Sequence, residues 1–292
     1  MRAFENLNPL TVAFYYAVTL SIAMFTMNPI LHVAGFIGGI LQFAVFNRKK
    51  TTGTHLYFFI IGSILALVRP VFSHNGVTVL FVVNDNPITL ESFIFGINSA
   101  VMVVGVLYLF RVISVIFTSD RFLYLFGAFS PKTALVMSAG LRFIPLLRRR
   151  YRMIGMAQTV IGINKDDNVI DRMGAAAKTM SATVTWGLEN GIITAESMAA
   201  RYFGTGKRSR YALFKFGRED LYVVMTVAVL SVIPVVCLFK GDFDTVFYPE
   251  FLMNEPDIRT VLGYLCYGVI ILIPVIMKVL ENYRWKFLRS RI

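Results

Sequence analysis

The chain has 292 residues, of which 56% are hydrophobic and only 16% charged, with a mean hydropathy of +0.64. A soluble globular protein carries about 25% charged residues, so a water-soluble enzyme or a nucleic-acid-binding domain is excluded and an integral, all-α polytopic membrane protein is expected. The net charge of +12 is unevenly spread, and its distribution predicts the topology.

Met1 to Pro9 reads MRAFENLNP and leads into a full-length apolar run, so no cleavable signal peptide is expected. Apolar runs near 10–27, 30–46, 56–73, 92–117, 221–239 and 258–280 each approach bilayer-crossing length, which predicts about six transmembrane helices. Arg48, Lys49 and Lys50 separate the second and third runs, whereas 74–90 contains no Lys or Arg. The long stretch 118–220 is strongly basic, 240–257 is acidic apart from Lys240, and the tail carries Arg284, Lys286, Arg289 and Arg291. Both termini are therefore expected in the cytoplasm, with every basic segment on that side. The predicted organisation is 1–117 and 221–292 as membrane helices flanking a coupling region at 118–220. The connection 74–90 ends an apolar strand-like run with Asn84-Asp85-Asn86-Pro87 and is expected to form a short external hairpin. Cys237 and Cys266 lie in apolar runs without a CxxC spacing and are expected to be small buried hydrophobes.

Two long helices are predicted in the basic region. The first begins at Pro131, a good first-turn residue, and its second half is amphipathic. Met153, Met156, Ala157, Val160 and Ile161 form one apolar stripe, Arg148, Arg149, Arg150 and Arg152 crowd the preceding turn, and Gly162 ends the helix. Asn164 to Asp167 is expected as the loop. The second helix runs from about Val169 to Phe203, with Ile192, Ala195, Ala199, Tyr202 and Phe203 as its closing stripe and Gly204 beyond. The part 133–147 is also apolar enough to enter the membrane, as a hairpin with 175–193. Basic amphipathic helices of this kind suit the inner leaflet, where Lys and Arg reach lipid phosphates, or a protein partner. The small residues Gly174, Ala175, Ala176, Ser181 and Ala182 suit either close helix packing or a face on which a second membrane protein docks.

Within AARYFGTGKRSRY, the Gly204-x-Gly206-Lys207 spacing superficially suggests a phosphate-binding loop. That loop requires Gly-x4-Gly-Lys-[Ser/Thr] after a strand; here the first Gly position holds Arg201 and the hydroxyl position holds Arg208. Gly204 and Gly206 are expected instead to end the helix.

Several short stretches carry a resemblance to a known family. They are Asn8-Pro9-Leu10-Thr11, Asn28-Pro29, Asn84 to Glu91, Thr118 to Gly127, Leu141 to Pro145 and Thr185 to Asn190. With the two helix ends, these resemble the transmembrane T component of energy-coupling factor (ECF) transporters for vitamins and metals. The family's paired Ala-Arg-Gly motifs end two coupling helices that sit in grooves on two ABC-type ATPase subunits. The second motif corresponds to Ala200-Arg201-Tyr202, and the first to Val160-Ile161-Gly162, where only the Gly is kept. The resemblance implies a non-enzymatic scaffold in the lipid bilayer, without a cofactor or metal. It would couple two ATPases to a small substrate-binding membrane subunit, with Met156, Val160, Ile161, Gly162, Ala200, Arg201, Tyr202 and Gly204 at the ATPase docks. The alternatives are a self-contained permease, which needs polar residues along several spans, and a membrane enzyme. An enzyme would draw on His32, His55, His74 or intramembrane charge. The histidines are dispersed without acidic partners at helical spacing, and Arg69, Arg111 and Arg142 lie near span ends, where they snorkel.

Overall fold

The computed structural model describes residues 4–47, 52–72, 76–83, 86–162, 169–204, 214–249, 251–253 and 257–289. Among them are nine α-helices: α1 Pro9–Phe25, α2 Pro29–Phe46, α3 Thr52–Phe72, α4 Leu90–Ile116, α5 Ser119–Phe129, α6 Pro131–Val160, α7 Val169–Ala200, α8 Arg218–Lys240 and α9 Ile258–Arg289. Two short antiparallel pairs join β1 Val79–Val83 to β2 Asn86–Thr89 and β3 Thr245–Val246 to β4 Leu252–Met253. The chain is an all-α polytopic membrane protein. Helices α2, α3, α4, α8 and α9 are long and apolar enough to cross a bilayer, and α1 is an apolar helix of 17 residues. The hairpin expected at 74–90 is the β1–β2 pair; His74 and the Asn84-Asp85 turn lie outside the described residues.

The chain forms two compact units: residues 1–118 with 214–292, and residues 119–213. In the first, α2 packs between α4 and α9, α3 packs on α4, and α1 packs on α8. Helices α1 and α2 each start at an Asn-Pro pair. The side chains of Asn8 and Asn28 accept bonds from the N–H groups of Leu10 and Ile30, both at 3.0 Å. Proline follows at the first helical position, where its missing N–H costs nothing.

Glycine sets the closest approaches in this unit. A Cβ on Gly39 would lie 3.1 Å from the Gly105 carbonyl oxygen, and one on Gly105 3.1 Å from the Phe36 backbone. A Cβ on Gly96 would lie 2.6 Å from the Ala66 carbonyl oxygen. Small residues of this kind let helix backbones meet in a membrane, where apolar burial supplies little driving force between helices.

Several buried polar groups in the same unit are paired across large sequence distances. Gln42, fully buried, donates to Tyr15 Oη at 3.0 Å and to the Ile271 carbonyl at 2.9 Å, and accepts from Tyr16 Oη at 3.2 Å. Asp220, also fully buried, accepts from the backbone N–H of Asn8 at 2.7 Å and of Gly217 at 2.8 Å, and from Thr11 Oγ1 at 3.3 Å. It thereby fastens the start of α8 to the start of α1. The His32 ring nitrogens lie 2.8 Å from Asn98 Oδ1 and 2.9 Å from the Thr26 carbonyl oxygen. Satisfied bonds of this sort are what make a polar side chain tolerable away from water.

The second unit holds α5, α6 and α7. The sequence marks two helices in this stretch, and the structure adds α5. Ser130 and Pro131 separate it from α6: the Ser130 hydroxyl accepts from Thr133 N at 3.4 Å, and Pro131 opens the new helix. Helices α6 and α7 form an antiparallel hairpin. Thr179 Oγ1 donates to Gln158 Oε1 at 2.6 Å, the Arg150 guanidinium lies 5.0 Å from the Trp186 ring centroid, and Leu147 packs over Gly187. The loop residues Asn164 to Asp167 lie outside the described residues.

Candidate docking surfaces on the helical hairpin

The face of α6 that meets α7 is built from Leu147, Arg150, Gly155 and Gln158. The apolar stripe of the sequence lies on the other side. Met153, Met156, Ala157, Val160 and Ile161 are all exposed, Val160 at 88%. Four bulky apolar side chains left uncovered along one helix end exceed the scattered single exposures normal for a protein surface.

The end of α6 is closed by a left-handed cap. Val160 is the last helical residue, Ile161 is the cap, and Gly162 follows with φ +79°. The Gly162 N–H donates to the Thr159 carbonyl at 3.1 Å.

The end of α7 repeats this geometry two residues earlier than Gly204. Helix α7 stops at Ala200, three residues short of the expected Phe203. Tyr202 takes the left-handed conformation with φ +57°. Its N–H donates to the Ala199 carbonyl at 3.0 Å, and the Phe203 N–H reaches back to the Met198 carbonyl at 3.0 Å. Those two bonds make a Schellman cap with Arg201 at the cap position and Tyr202 immediately after it. Gly204, φ +100°, lies beyond the cap rather than in it, and Gly206 lies outside the described residues. The chain turns at Tyr202 because the two back-reaching bonds satisfy carbonyls the helix end leaves open, at the steric cost of a Cβ in a left-handed position.

Ala200-Arg201-Tyr202 and Val160-Ile161-Gly162 are therefore equivalent residue by residue: last helical residue, cap, left-handed residue. Ala200, Arg201, Tyr202 and Gly204 are exposed, as are Ile192, Ala195, Ala199 and Phe203. The two ends differ in chemistry at the cap, an exposed isoleucine at one and an exposed arginine at the other. Among the described residues, neither end presents a strand leading into a phosphate-cradling loop.

On α7, Gly174, Ala176, Ser181 and Ala182 are exposed and Ala175 is half-buried, its carbonyl accepting from Thr179 Oγ1 at 2.9 Å. Among the described residues, nothing lies within 4 Å of the position a Cβ on Gly174 would occupy. Among the described residues, His32 and His55 have separate partners. His32 belongs to the Asn98 and Thr26 bonds above, and His55 Nδ1 lies 2.8 Å from Tyr108 Oη. No group of His, Cys, Asp or Glu with metal-binding geometry occurs among the described residues. Arg69 lies over the Phe95 ring at 4.8 Å, Arg111 and Arg142 are exposed, and Cys237 and Cys266 are free thiols.

Sequence reading did not find the left-handed Tyr202, because tyrosine carries no propensity for that conformation; the signal available was its alignment with Gly162. It also did not find the Arg150–Trp186 stack, although positions 150 and 186 are opposed once the hairpin is closed. Comparison with family models and with curated proteins finds no match for this chain.

Proposed function

We propose that this protein is the membrane scaffold of an ECF-type ABC importer in the cell membrane, with both termini cytoplasmic. In this reading the α6 and α7 ends each dock one ATPase subunit. The run Gly174 to Ala182 receives a small membrane subunit that binds the vitamin or metal ion carried, and the chain itself performs no catalysis. One observation carries the reading: two helix ends with the same left-handed cap, each surrounded by exposed apolar side chains. Uncovered apolar surface of that extent marks a partner site, and two matching sites suit two related partners. A second reading has the same stripes lying on the inner leaflet, favoured by the exposed Arg148, Arg149 and Arg152 beside them.

The test is co-purification of the full chain with ATPase subunits, followed by ATPase assays with and without them. The scaffold reading expects two ATPase subunits per chain and no nucleotide binding by the chain alone. Saturable ATP binding by the isolated chain would overturn it, and membrane-surface binding without any co-purifying ATPase would favour the leaflet reading.

A further inference from the structure

Helices α2 and α3 flank α4 and leave a trough between them. Its volume is about 620 Å³, and its lining includes Phe36 of α2, His55 and Ser63 of α3, and Ile97, Val101 and Tyr108 of α4. That volume lies within the roughly 300–1,000 Å³ of small-molecule sites. Because α3 and α4 run antiparallel here, the trough is bounded by His55 and Tyr108 at one end and by Ala66 and Ile97 at the other. From His55 to Ala66 the helix rises about 16 Å, close to half of the ~30 Å hydrocarbon core and thus the depth of one leaflet.

The trough is polar at one end only. His55 Nδ1 and Tyr108 Oη are 2.8 Å apart. The phenol is held in place by edge-to-face packing on Phe58 at 4.7 Å and Phe43 at 5.6 Å between ring centroids. Apart from Ser63, the other lining side chains are apolar. In sequence, α3 follows Arg48-Lys49-Lys50, which the positive-inside rule assigns to the cytoplasmic side and which favours a negative headgroup at that end. A channel one leaflet deep, apolar along its length and hydrogen-bonding at the interfacial end matches an amphiphile standing in that leaflet. A partner's transmembrane helix would cross the full thickness and would leave the trough's polar end unused.

We propose that the trough is a binding site for one anionic, single-chain amphiphile unit, either a free fatty acid or one acyl chain of an anionic phospholipid. The acid headgroup sits at His55 and Tyr108, and the chain runs past Ser63 and Val101 toward Ile97.

The test uses the full chain in detergent, with oleate and methyl oleate as probes and equilibrium binding as the readout. Oleate should bind saturably at one per chain. Ser63→Trp, which fills the trough, should weaken it at least tenfold. His55→Phe should weaken oleate several-fold while leaving methyl oleate unchanged. Val101→Phe is the second filling variant, used if Ser63→Trp does not elute as a monodisperse species. Lipid extraction from the purified protein separates the sources, a co-purifying fatty acid or a co-purifying anionic phospholipid. Uptake that rises without saturation and ignores both filling variants would be bulk partitioning and would overturn the site. Equal loss of both probes in His55→Phe would overturn the headgroup assignment. A membrane protein captured by wild type but not by Ser63→Trp, with no oleate binding, would give the trough to a helix and overturn it too.

Discussion

The two units of this molecule place several of the same residue types differently. In the first unit glycines are trapped: Gly38, Gly39, Gly96 and Gly105 have other helices within 2.6–3.1 Å of where a Cβ would stand. In the second, Gly140, Gly174 and Gly191 have nothing within 4 Å of a Cβ, and only Gly187, beside Leu147, is closely met among the described glycines of α6 and α7. The first unit also buries polar side chains in satisfied networks around Gln42, Asp220 and His32. The second leaves Met156, Val160, Ile161, Met173 and Leu188 between 63% and 88% exposed. The first brings helix backbones together at these glycines, whereas the second displays apolar surface along a basic helical hairpin. A membrane-facing apolar surface needs no partner, because lipid is as apolar as leucine. The second unit is basic and amphipathic, and in the scaffold reading proposed above its exposed apolar groups are where a partner docks.

The largest expected effect tests the partner side of this comparison. An arginine at a buried groove makes charge-assisted bonds to a carboxylate that Ala cannot replace, and breaking a desolvated pair of that kind costs on the order of 2–5 kcal/mol. In the scaffold reading proposed above, Arg201→Ala should therefore release one ATPase, or uncouple transport from ATP hydrolysis, while the protein stays folded. Docking at the Arg201 end should weaken as salt rises, and docking at the Ile161 end should change little, since screening acts on charge and not on buried apolar area. Assembly with each ATPase measured separately across a salt series checks both. Equal salt sensitivity would abolish the asymmetry and would point to Arg148, Arg149 and Arg152 supplying charge at the first end.

The next effect tests the closed side. Gly96→Ala places a Cβ 2.6 Å from the Ala66 carbonyl oxygen, which is backbone and has no rotamer by which to yield. Overpacking of this kind costs about 1–3 kcal/mol, so the apparent melting temperature of the detergent-solubilised protein should fall by several degrees. An unchanged melting curve would mean that α3 moves freely off α4.

How much of this was readable in advance follows from the range of the forces involved. The spans, Pro131 and the exposed stripe of α6 come from local periodicity and local caps, and sequence displays both directly. Helix α5 was hidden because it is short, Phe122 to Phe126 is an unbroken aromatic and leucine run, and Gly127 follows it within the helix. The Gln42–Ile271 and Asn8–Asp220 bonds join residues more than 200 positions apart. No local pattern marks them, and only the fold brings the partners together. The trough is likewise a property of three helices and of none singly. At the docking ends the equivalence of Val160-Ile161-Gly162 with Ala200-Arg201-Tyr202 was legible by alignment, but the left-handed backbone of Tyr202 was not, since only Gly162 advertises it.

That backbone supplies the third prediction. A non-glycine residue held left-handed pays about 1–2 kcal/mol, which Gly escapes. Tyr202→Gly should tighten the α7 cap by about 1 kcal/mol, slowing hydrogen exchange at the Tyr202 and Phe203 amide positions roughly fivefold. Tyr202→Ala keeps the penalty and loses the phenol, so it should not slow exchange. If both variants speed exchange, the ring rather than the conformation stabilises this end.

The smallest effect bears most directly on the contrast between trapped and open glycines. Gly191 and Gly174 both sit in α7 with nothing within 4 Å of a Cβ. Replacing either with Ala removes the helix penalty of glycine and should stabilise α7 by about 0.5–1 kcal/mol, visible as slower amide exchange along the helix. The two variants should part company in assembly. Gly174 begins the small-residue run proposed to receive the substrate-binding subunit, and in the first unit such contacts bring backbones within 3.1 Å of a would-be Cβ. If the partner helix packs that closely, the added methyl at Gly174 obstructs it, and Gly174→Ala should lower recovery of that subunit in co-purification while Gly191→Ala leaves it intact. Equal recovery for both would move the dock off Gly174, because an open glycine that accepts a methyl in the assembled complex is as open there as it is in the chain alone.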